Sequence, residues 1–115
     1  MSTTRDVLDH HLGAFGEGDL DEILADYEDG SVIITPDGTY HGLEEITGFF
    51  RGLFDEFGQE GAEANIDLQK VEDEVAFITW HGETPENVYE FCTDTFVVRS
   101  GVITTQTFAG KIEPK

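Results

Sequence analysis

Asp94 is the titratable residue whose surroundings most favour acid–base chemistry. It lies in the predicted strand VYEFCTDTFVVR (88–99), where alternation places Cys92, Asp94 and Phe96 on one face. A carboxyl group among apolar neighbours is poorly solvated, which raises its pKa and lets it give or take a proton near neutral pH. The opposite face of this strand is also apolar, so alternation leaves two readings open: Asp94 faces a pocket, or it faces solvent.

His11 is the second candidate for proton transfer. It lies near the edge of the apolar face that Leu8, Leu12 and Phe15 form at helical spacing. An imidazole there could bind an oxygen atom or move a proton near neutral pH. Two readings are open: His11 forms a hydrogen-bonded dyad with Asp94, or it is a solvated histidine at the edge of the helix face.

Aromatic and polar side chains elsewhere in the chain supply the expected pocket walls. Trp80 shares its strand face with apolar residues and is read as core or pocket wall. Tyr27 and Tyr40 could bring hydroxyl groups to a cavity, or serve as core aromatics with the hydroxyl at the rim. The other residues expected to line the pocket are Phe15, Thr35, Phe50, Phe54, Cys92, Phe96, Gln106 and Phe108.

Net charge narrows the class of partner. The chain has 115 residues, and 25 acidic against six basic side chains give a net charge of −19. Because such a protein repels phosphate groups, nucleic acid is not expected as a partner. The acids are spread along the chain, and nine phenylalanines argue against disorder. We expect a halophilic protein adapted to a salt-rich cytoplasm; an acidic protein from ordinary conditions is the alternative.

Other sequence signals are missing. The single cysteine, Cys92, excludes an internal disulfide framework and a multi-cysteine zinc site. We find no metal-ligand cluster, glycine-rich phosphate loop or Ser-His-Asp spacing, so neither a metal nor an organic cofactor is expected. No apolar run is long enough to span a membrane, and the start lacks the apolar core of a secretory signal. We therefore expect one cytoplasmic domain over residues 1–115.

The elements that must position these residues follow from hydrophobic periodicity. Helical spacing predicts a helix ending before Gly18, a second capped by Asp19 and reaching Tyr27, and a third after Gly42 with an apolar stripe to Phe57. The second half alternates as strands do. The predicted strands are 31–35, 63–71, 75–83, 88–99 and 102–112. The order is therefore helix, helix, strand, helix and then an antiparallel meander of four strands, which predicts an α+β fold with helices on one face of a curved sheet.

This order of elements resembles the nuclear transport factor 2-like superfamily, whose cone-shaped α+β fold wraps a curved sheet around a long helix. Local strings agree over nearly the whole chain. They are GDLDEILADYEDGSV (18–32), TYHGLEEITGFF (39–50), TWHGETP (79–85) and FVVRSGVITTQTF (96–108). Within this superfamily, the chain looks most like the SnoaL-like polyketide cyclases and the ketosteroid isomerases. The resemblance is specific for the fold but does not select one activity, because one fold can serve many activities.

The resemblance to ketosteroid isomerases implies positions for a site. The isomerase's oxyanion-hole tyrosine falls at His11, and its protonated aspartic acid falls at Asp94. Its general-base aspartate falls at Thr35, which cannot abstract a carbon-bound proton near neutral pH. Asp37 could replace that base only if its turn folds inward.

Three functions are compatible with the sequence, which does not establish an enzyme. The first is an isomerase, cyclase or dehydratase, free of cofactor, that acts on a small apolar, oxygen-bearing molecule through His11 and Asp94. The second is a non-catalytic module that binds such a molecule, which the missing base at Thr35 favours. The third is an interaction protein with a closed cavity. The family resemblance also implies a homodimer formed through the outer face of the sheet.

Overall fold

The computed structural model describes residues 3–115, and polar side chains cap the start of its first two helices. The Thr3 side chain accepts from the Asp6 backbone N–H in a capping box, and the Asp19 side chain accepts from the Glu22 backbone N–H. Gly18 ends the first helix in the left-handed conformation, at φ 65°. The helices are α1 (Thr4–Glu17), α2 (Leu20–Leu24) and α3 (Gly42–Phe57).

Six strands form a single curved sheet in the order β2-β1-β6-β5-β4-β3. The four later strands pair antiparallel as a meander, as predicted. The strands are β1 (Val32–Thr35), β2 (Gly38–His41), β3 (Glu63–Glu72), β4 (Val75–Glu83), β5 (Asn87–Arg99) and β6 (Val102–Pro114). The predicted α+β fold with a curved sheet and three helices is confirmed.

Three details differ from the prediction. Residues 38–41 form the strand β2, because the turn at 36–37 folds β2 back onto β1 as a hairpin. The sheet is mixed, since β1 pairs parallel with β6 after the chain crosses through α3. Helix α2 ends at Leu24, so Tyr27 lies in the following loop, although it is still buried.

The core lies between the helices and the inner face of the sheet. Ile46 and Phe50 on α3 are almost completely buried, and Val7 and Leu8 anchor α1. Removing this apolar surface from water stabilises the fold by about 25 cal/mol for each Å². The helices therefore cover one face of the sheet and leave the other uncovered.

The uncovered side, which we call the outer face, consists of the outward positions of β4–β6. Alternation puts Phe77, Phe91 and Thr95 there, opposite the buried inward positions. Phe91 is 56% exposed, the most exposed of the large apolar residues. The central part of this face consists of Val75, Phe77, Thr79, Phe91, Thr93, Thr95, Val97, Thr105, Thr107, Ala109 and Lys111, none of which carries a carboxyl group. Glu83 and Glu113 lie farther along the same face, and Oε2 of Glu90 is 3.2 Å from Nζ of Lys111 at its border.

Candidate functional site

A cavity of about 220 Å³ lies between α1, α3 and the inner face of the sheet, and it opens beside the β1–β2 turn. Its walls are mostly aromatic and aliphatic side chains. Asp94, Gln106 and His11 form what we call the polar end of the cavity, and each is more than nine-tenths buried. An apolar cavity with a few converging polar groups is the usual form of a small-molecule site.

The Asp94 carboxyl group is held by two nitrogen donors. Oδ1 accepts from the indole Nε1 of Trp80 at 2.9 Å, and Oδ2 accepts from Nε2 of Gln106 at 2.9 Å. Burial raises the pKa of Asp94 to about 6, although both hydrogen bonds act in the opposite direction. At neutral pH this group is a carboxylate that still takes up a proton easily, as a general base requires.

Tyr27 fixes the orientation of the Gln106 amide. Its hydroxyl donates to Oε1 of Gln106, which leaves Nε2 to face Asp94. Burial and the nearby carboxylate raise the pKa of Tyr27 above its usual value, so the phenol keeps its proton. The chain from Tyr27 through Gln106 to Asp94 therefore delivers donors to the carboxylate and stabilises its charged form.

His11 packs edge-on against aromatic rings, with its centroid 5.0 Å from that of Phe96. Its Nδ1 is sealed from solvent and, within residues 3–115, is the buried side-chain polar atom without a hydrogen-bond partner. Burial lowers the pKa of His11 to about 3, so the ring is neutral at pH 7. Nε2 also lacks a partner in the described chain but is not sealed, so it is the ring atom that a molecule in the cavity can reach.

A buried carboxylate lies on the far side of His11. Oδ2 of Asp26 is 4.0 Å from Nδ1 of His11, and Asp26 also accepts from His10 at 2.8 Å. The negative charge favours the His11 tautomer with its hydrogen on Nδ1, which leaves a lone pair on Nε2. Contacts to Glu22 and Asp26 raise the pKa of His10 and favour its charged form.

Thr35 and Asp37 lie at the mouth of the cavity. The Thr35 hydroxyl donates to the Gly38 carbonyl at 3.0 Å and accepts from the Asp37 backbone N–H at 3.2 Å. Its role is therefore to hold the turn together. Asp37 lines the mouth but is exposed to solvent, unlike Asp94.

A family model described as a SnoaL-like domain matches residues 8–106. The chain belongs to the SnoaL-like domain family. Among curated proteins, none matches the sequence. Solved structures share the SnoaL-like fold at low sequence identity, so they bear on fold alone.

Three of these structures show the range of proteins with this fold. A candidate ketosteroid isomerase from Kribbella flavida DSM 17836 superposes with a TM-score of 0.79 at 10% identity, covering 94% of this chain and 77% of its own. A candidate polyketide cyclase from Sinorhizobium meliloti superposes with a TM-score of 0.74 at 15% sequence identity, and the match covers 90% of this chain and 93% of the cyclase chain. An NTF2-like protein of unknown function from Cytophaga hutchinsonii ATCC 33406 superposes with a TM-score of 0.80 at 12% sequence identity, and the match covers 96% of this chain and 92% of that protein.

Most of the expected pocket residues lie on the cavity wall of this SnoaL-like domain. The expected residues that do line the cavity are His11, Phe15, Thr35, Tyr40, Phe50, Trp80, Asp94, Phe96, Gln106 and Phe108. The expected hydrogen bond between His11 and Asp94 is wrong for the described chain: Asp94 binds Trp80 and Gln106, and the nearest acidic group to Nδ1 of His11 is Asp26.

Three expected residues lie behind the wall. Tyr27 reaches the cavity only through Gln106. Phe54 packs against Phe15, at a centroid distance of 5.4 Å. Cys92 is buried against Gly110, where a β-carbon would lie 2.5 Å from its Sγ; burial raises the pKa of this thiol to about 12.

The sequence did not predict two important neighbours. Strict alternation along β5 places Tyr89 on the face opposite Asp94, but a bulge between Tyr89 and Phe91 turns it inward. There it stacks on Trp80 at 5.4 Å and donates to Glu56. Asp26 carried no signal, because it fell within the predicted second helix. Other lining residues not singled out as pocket residues are Leu12, Phe49, Leu53, Phe57, Ala64, Ile66, Ile78 and Ile112.

Residues 3–115 lack two kinds of feature. This part of the SnoaL-like domain contains no group of three or more His, Cys, Asp or Glu side chains placed to hold a metal ion. It also contains no helix long and apolar enough to cross a membrane.

Proposed function

We propose that this SnoaL-like domain binds a small, largely apolar, oxygen-bearing molecule in its cavity and acts on it by acid–base chemistry. Asp94 is the base, and His11 binds or relays a proton through Nε2. The reaction class is isomerisation, cyclisation or dehydration. The observation that carries the proposal is the buried Asp94 carboxylate, poised near pH 6 at the end of an apolar cavity.

The protonation state supports a role different from that of the isomerase residue at the same place. A protonated aspartic acid would donate to a substrate oxygen. Here both oxygens of Asp94 accept from N–H groups, which favours the carboxylate. Asp94 therefore suits the removal of a proton, the task for which Thr35 is unsuited.

Cavity size limits the ligand. Sites for drug-sized molecules usually measure about 300–1,000 Å³, and this cavity is about 220 Å³. A compact molecule of one or two rings fits better than a large polycyclic one. The aromatic walls would supply most of the binding energy through burial of apolar surface.

The experiment that tests catalysis is proton exchange in D₂O. Compact cyclic ketones and hydroxyketones are incubated with the protein, and NMR follows deuterium entering the carbon beside the carbonyl. We expect exchange with the natural protein and a loss of about 100-fold or more in Asp94→Asn, the size of a general-base contribution. Asp37→Asn, which removes a carboxylate at the mouth, is the matched variant.

Each outcome points to one reading. Loss of exchange in Asp94→Asn alone supports Asp94 as the base, whereas loss in Asp37→Asn alone assigns the base to the mouth. Binding of the same molecules without exchange in any variant favours the alternative, a non-catalytic binding module, which the pocket geometry also allows.

We also propose that two copies of the chain pair through the outer face. In a chain with a net charge of −19, most surfaces repel a second copy. The central part of the outer face carries no carboxylate and exposes Phe91, so two copies can meet there with less repulsion than elsewhere. The acid-rich remainder fits a protein that works in the concentrated salt of a halophilic cytoplasm.

A further inference from the structure

Most hydrogen-bond donors at the polar end of the cavity are already engaged. Nε1 of Trp80 and Nε2 of Gln106 both donate to Asp94. The Tyr27 hydroxyl donates to Gln106. A second hydrogen on Nε2 of Gln106 is the donor left at this end, among the residues the structure describes.

The acceptors at the same end are not exhausted. Each Asp94 oxygen accepts one hydrogen bond and has a further lone pair. Nε2 of His11 has no partner in residues 3–115, and the nearby Asp26 favours the tautomer that leaves a lone pair there. A ligand therefore meets more acceptors than donors.

The excess of acceptors over donors favours a hydroxyl oxygen of the ligand over a ketone oxygen. A ketone oxygen beside Asp94 would place acceptor against acceptor and leave the buried lone pairs of the carboxylate unpaired, which is unfavourable. A hydroxyl group can donate its hydrogen to Asp94 and accept the second hydrogen of Gln106 Nε2. It thus satisfies both groups at once.

The geometry points to a neutral ligand with a hydroxyl group, an alcohol or phenol, whose O–H donates to Asp94 while its ring lies against Trp80 and the phenylalanines. This inference rests on the cavity being a ligand site, as proposed above, and it names the class of ligand. An ammonium group could also donate, but its burial in an apolar cavity costs more than that of a hydroxyl.

The experiment uses three probes of one shape: 4-methylcyclohexanol, 4-methylcyclohexanone and 4-methylcyclohexylamine. Trp80 is the single tryptophan of the chain and lies on the cavity wall, so its fluorescence reports binding, and calorimetry confirms the affinities. At pH 8 we expect the alcohol to bind roughly tenfold more tightly than the ketone, the effect of one hydrogen bond to a charged group.

Two further measurements tie that preference to Asp94. In Asp94→Asn the preference should shrink to about twofold, because an amide both donates and accepts. Asp55→Asn, which removes an exposed carboxylate on α3, should keep it. At pH 5 the natural protein should lose most of its preference for the alcohol, because a protonated Asp94 can donate a hydrogen bond to the ketone. This measurement needs no variant, so it tests the inference even if Asp94→Asn fails to fold.

Contrary outcomes are distinguishable. Equal or tighter binding of the ketone at pH 8 overturns the hydroxyl inference and leaves the proposed site standing. Tightest binding by the amine overturns it in favour of a cationic ligand. If none of the probes binds at millimolar concentration, the proposed ligand site is wrong and the inference is overturned with it.

Discussion

The indole Nε1 of Trp80 lies 2.9 Å from Oδ1 of Asp94 and donates a hydrogen bond to it. The register pairs Ile78 with Asp94 and Trp80 with Cys92, so the two side chains are diagonal neighbours on the inner face. One contact thus joins the only tryptophan of the chain to the carboxyl group that we assign as the base. The indole should therefore sense the charge of Asp94.

Trp80 fluorescence should titrate with a midpoint near pH 6. Burial raises the pKa of Asp94 to about 6, and protonation changes the charge beside the indole. Asp94→Asn should abolish the transition, whereas Asp37→Asn should keep it. A flat signal between pH 4.5 and 7.5 in the natural protein would show that Asp94 does not titrate there.

Asp94 also affects stability with a definite sign. Its pKa is higher in the folded chain than the ordinary 3.8, so between about pH 4 and 6 the folded state binds more protons than the unfolded state. Its contribution to the free energy of unfolding therefore falls as pH rises through this window, by about 1.4 kcal/mol for each tenfold difference in proton affinity between the two states. Urea denaturation of the natural protein and of Asp94→Asn across the window measures this fall, which the variant should lack.

Replacing His11 with phenylalanine should stabilise the protein. His11→Phe keeps an aromatic ring against Phe96 and removes the unpaired buried Nδ1, so the free energy of unfolding should rise by about 1 kcal/mol at pH 7. Burial lowers the pKa of His11 to about 3 from 6.5, so below pH 6.5 the unfolded state binds the extra proton and the natural protein loses stability.

The gain from His11→Phe should therefore be larger at pH 5 than at pH 7, which urea denaturation at the two pH values measures. His41→Gln, at an exposed histidine, is the control for the removal of an imidazole from the chain. A gain for His11→Phe that is the same at both pH values contradicts the assignment of a neutral buried imidazole.

Salt should raise the melting temperature. With a net charge of −19 the folded chain repels itself, and ions screen that repulsion. We expect a steady rise from low salt to about 2 M KCl. Replacing Glu17, Asp55 and Glu60 with their amides should reduce the rise. A melting temperature that is flat or falls with KCl would contradict adaptation to salt.

Phe91→Glu should separate the proposed dimer. It places a carboxylate in the central part of the outer face, where the natural chain has none. Sedimentation should show a dimer for the natural protein and the 12.8 kDa monomer for the variant. Gly13→Glu adds the same charge on the exposed side of α1 and should remain dimeric. If the natural protein is monomeric even at high concentration, the proposed dimer is wrong.

The sequence predicted the fold better than it predicted the contacts within the site. Helical spacing and alternation predicted the helices and the four-strand meander, because each pattern reflects burial on one face. The β1–β2 hairpin was missed because β2 is only four residues long and lies directly against α3. Short elements carry too few residues to show a period.

The partners of the site residues depend on three-dimensional detail that periodicity does not encode. The bulge at Tyr89 reversed its face, and the loop after the short α2 brought Asp26 to His11 instead of Asp94. The placement of Asp94 on an inward face followed from alternation and resemblance. Its donors, Trp80 and Gln106, could not be assigned without the register of three strands.

The close packing of Gly110 on Cys92 makes the cysteine thiol a probe of how often this part of the sheet opens. Because Gly110 has no side chain, the β6 backbone packs directly on the fully buried Cys92 thiol, so a labelling reagent reaches it when the structure around it opens. The rate at which Cys92 is modified therefore reports how often the centre of the sheet opens. A ligand that stabilises the sheet would lower this rate, so the modification of Cys92 can report occupancy of the cavity although Cys92 does not line it.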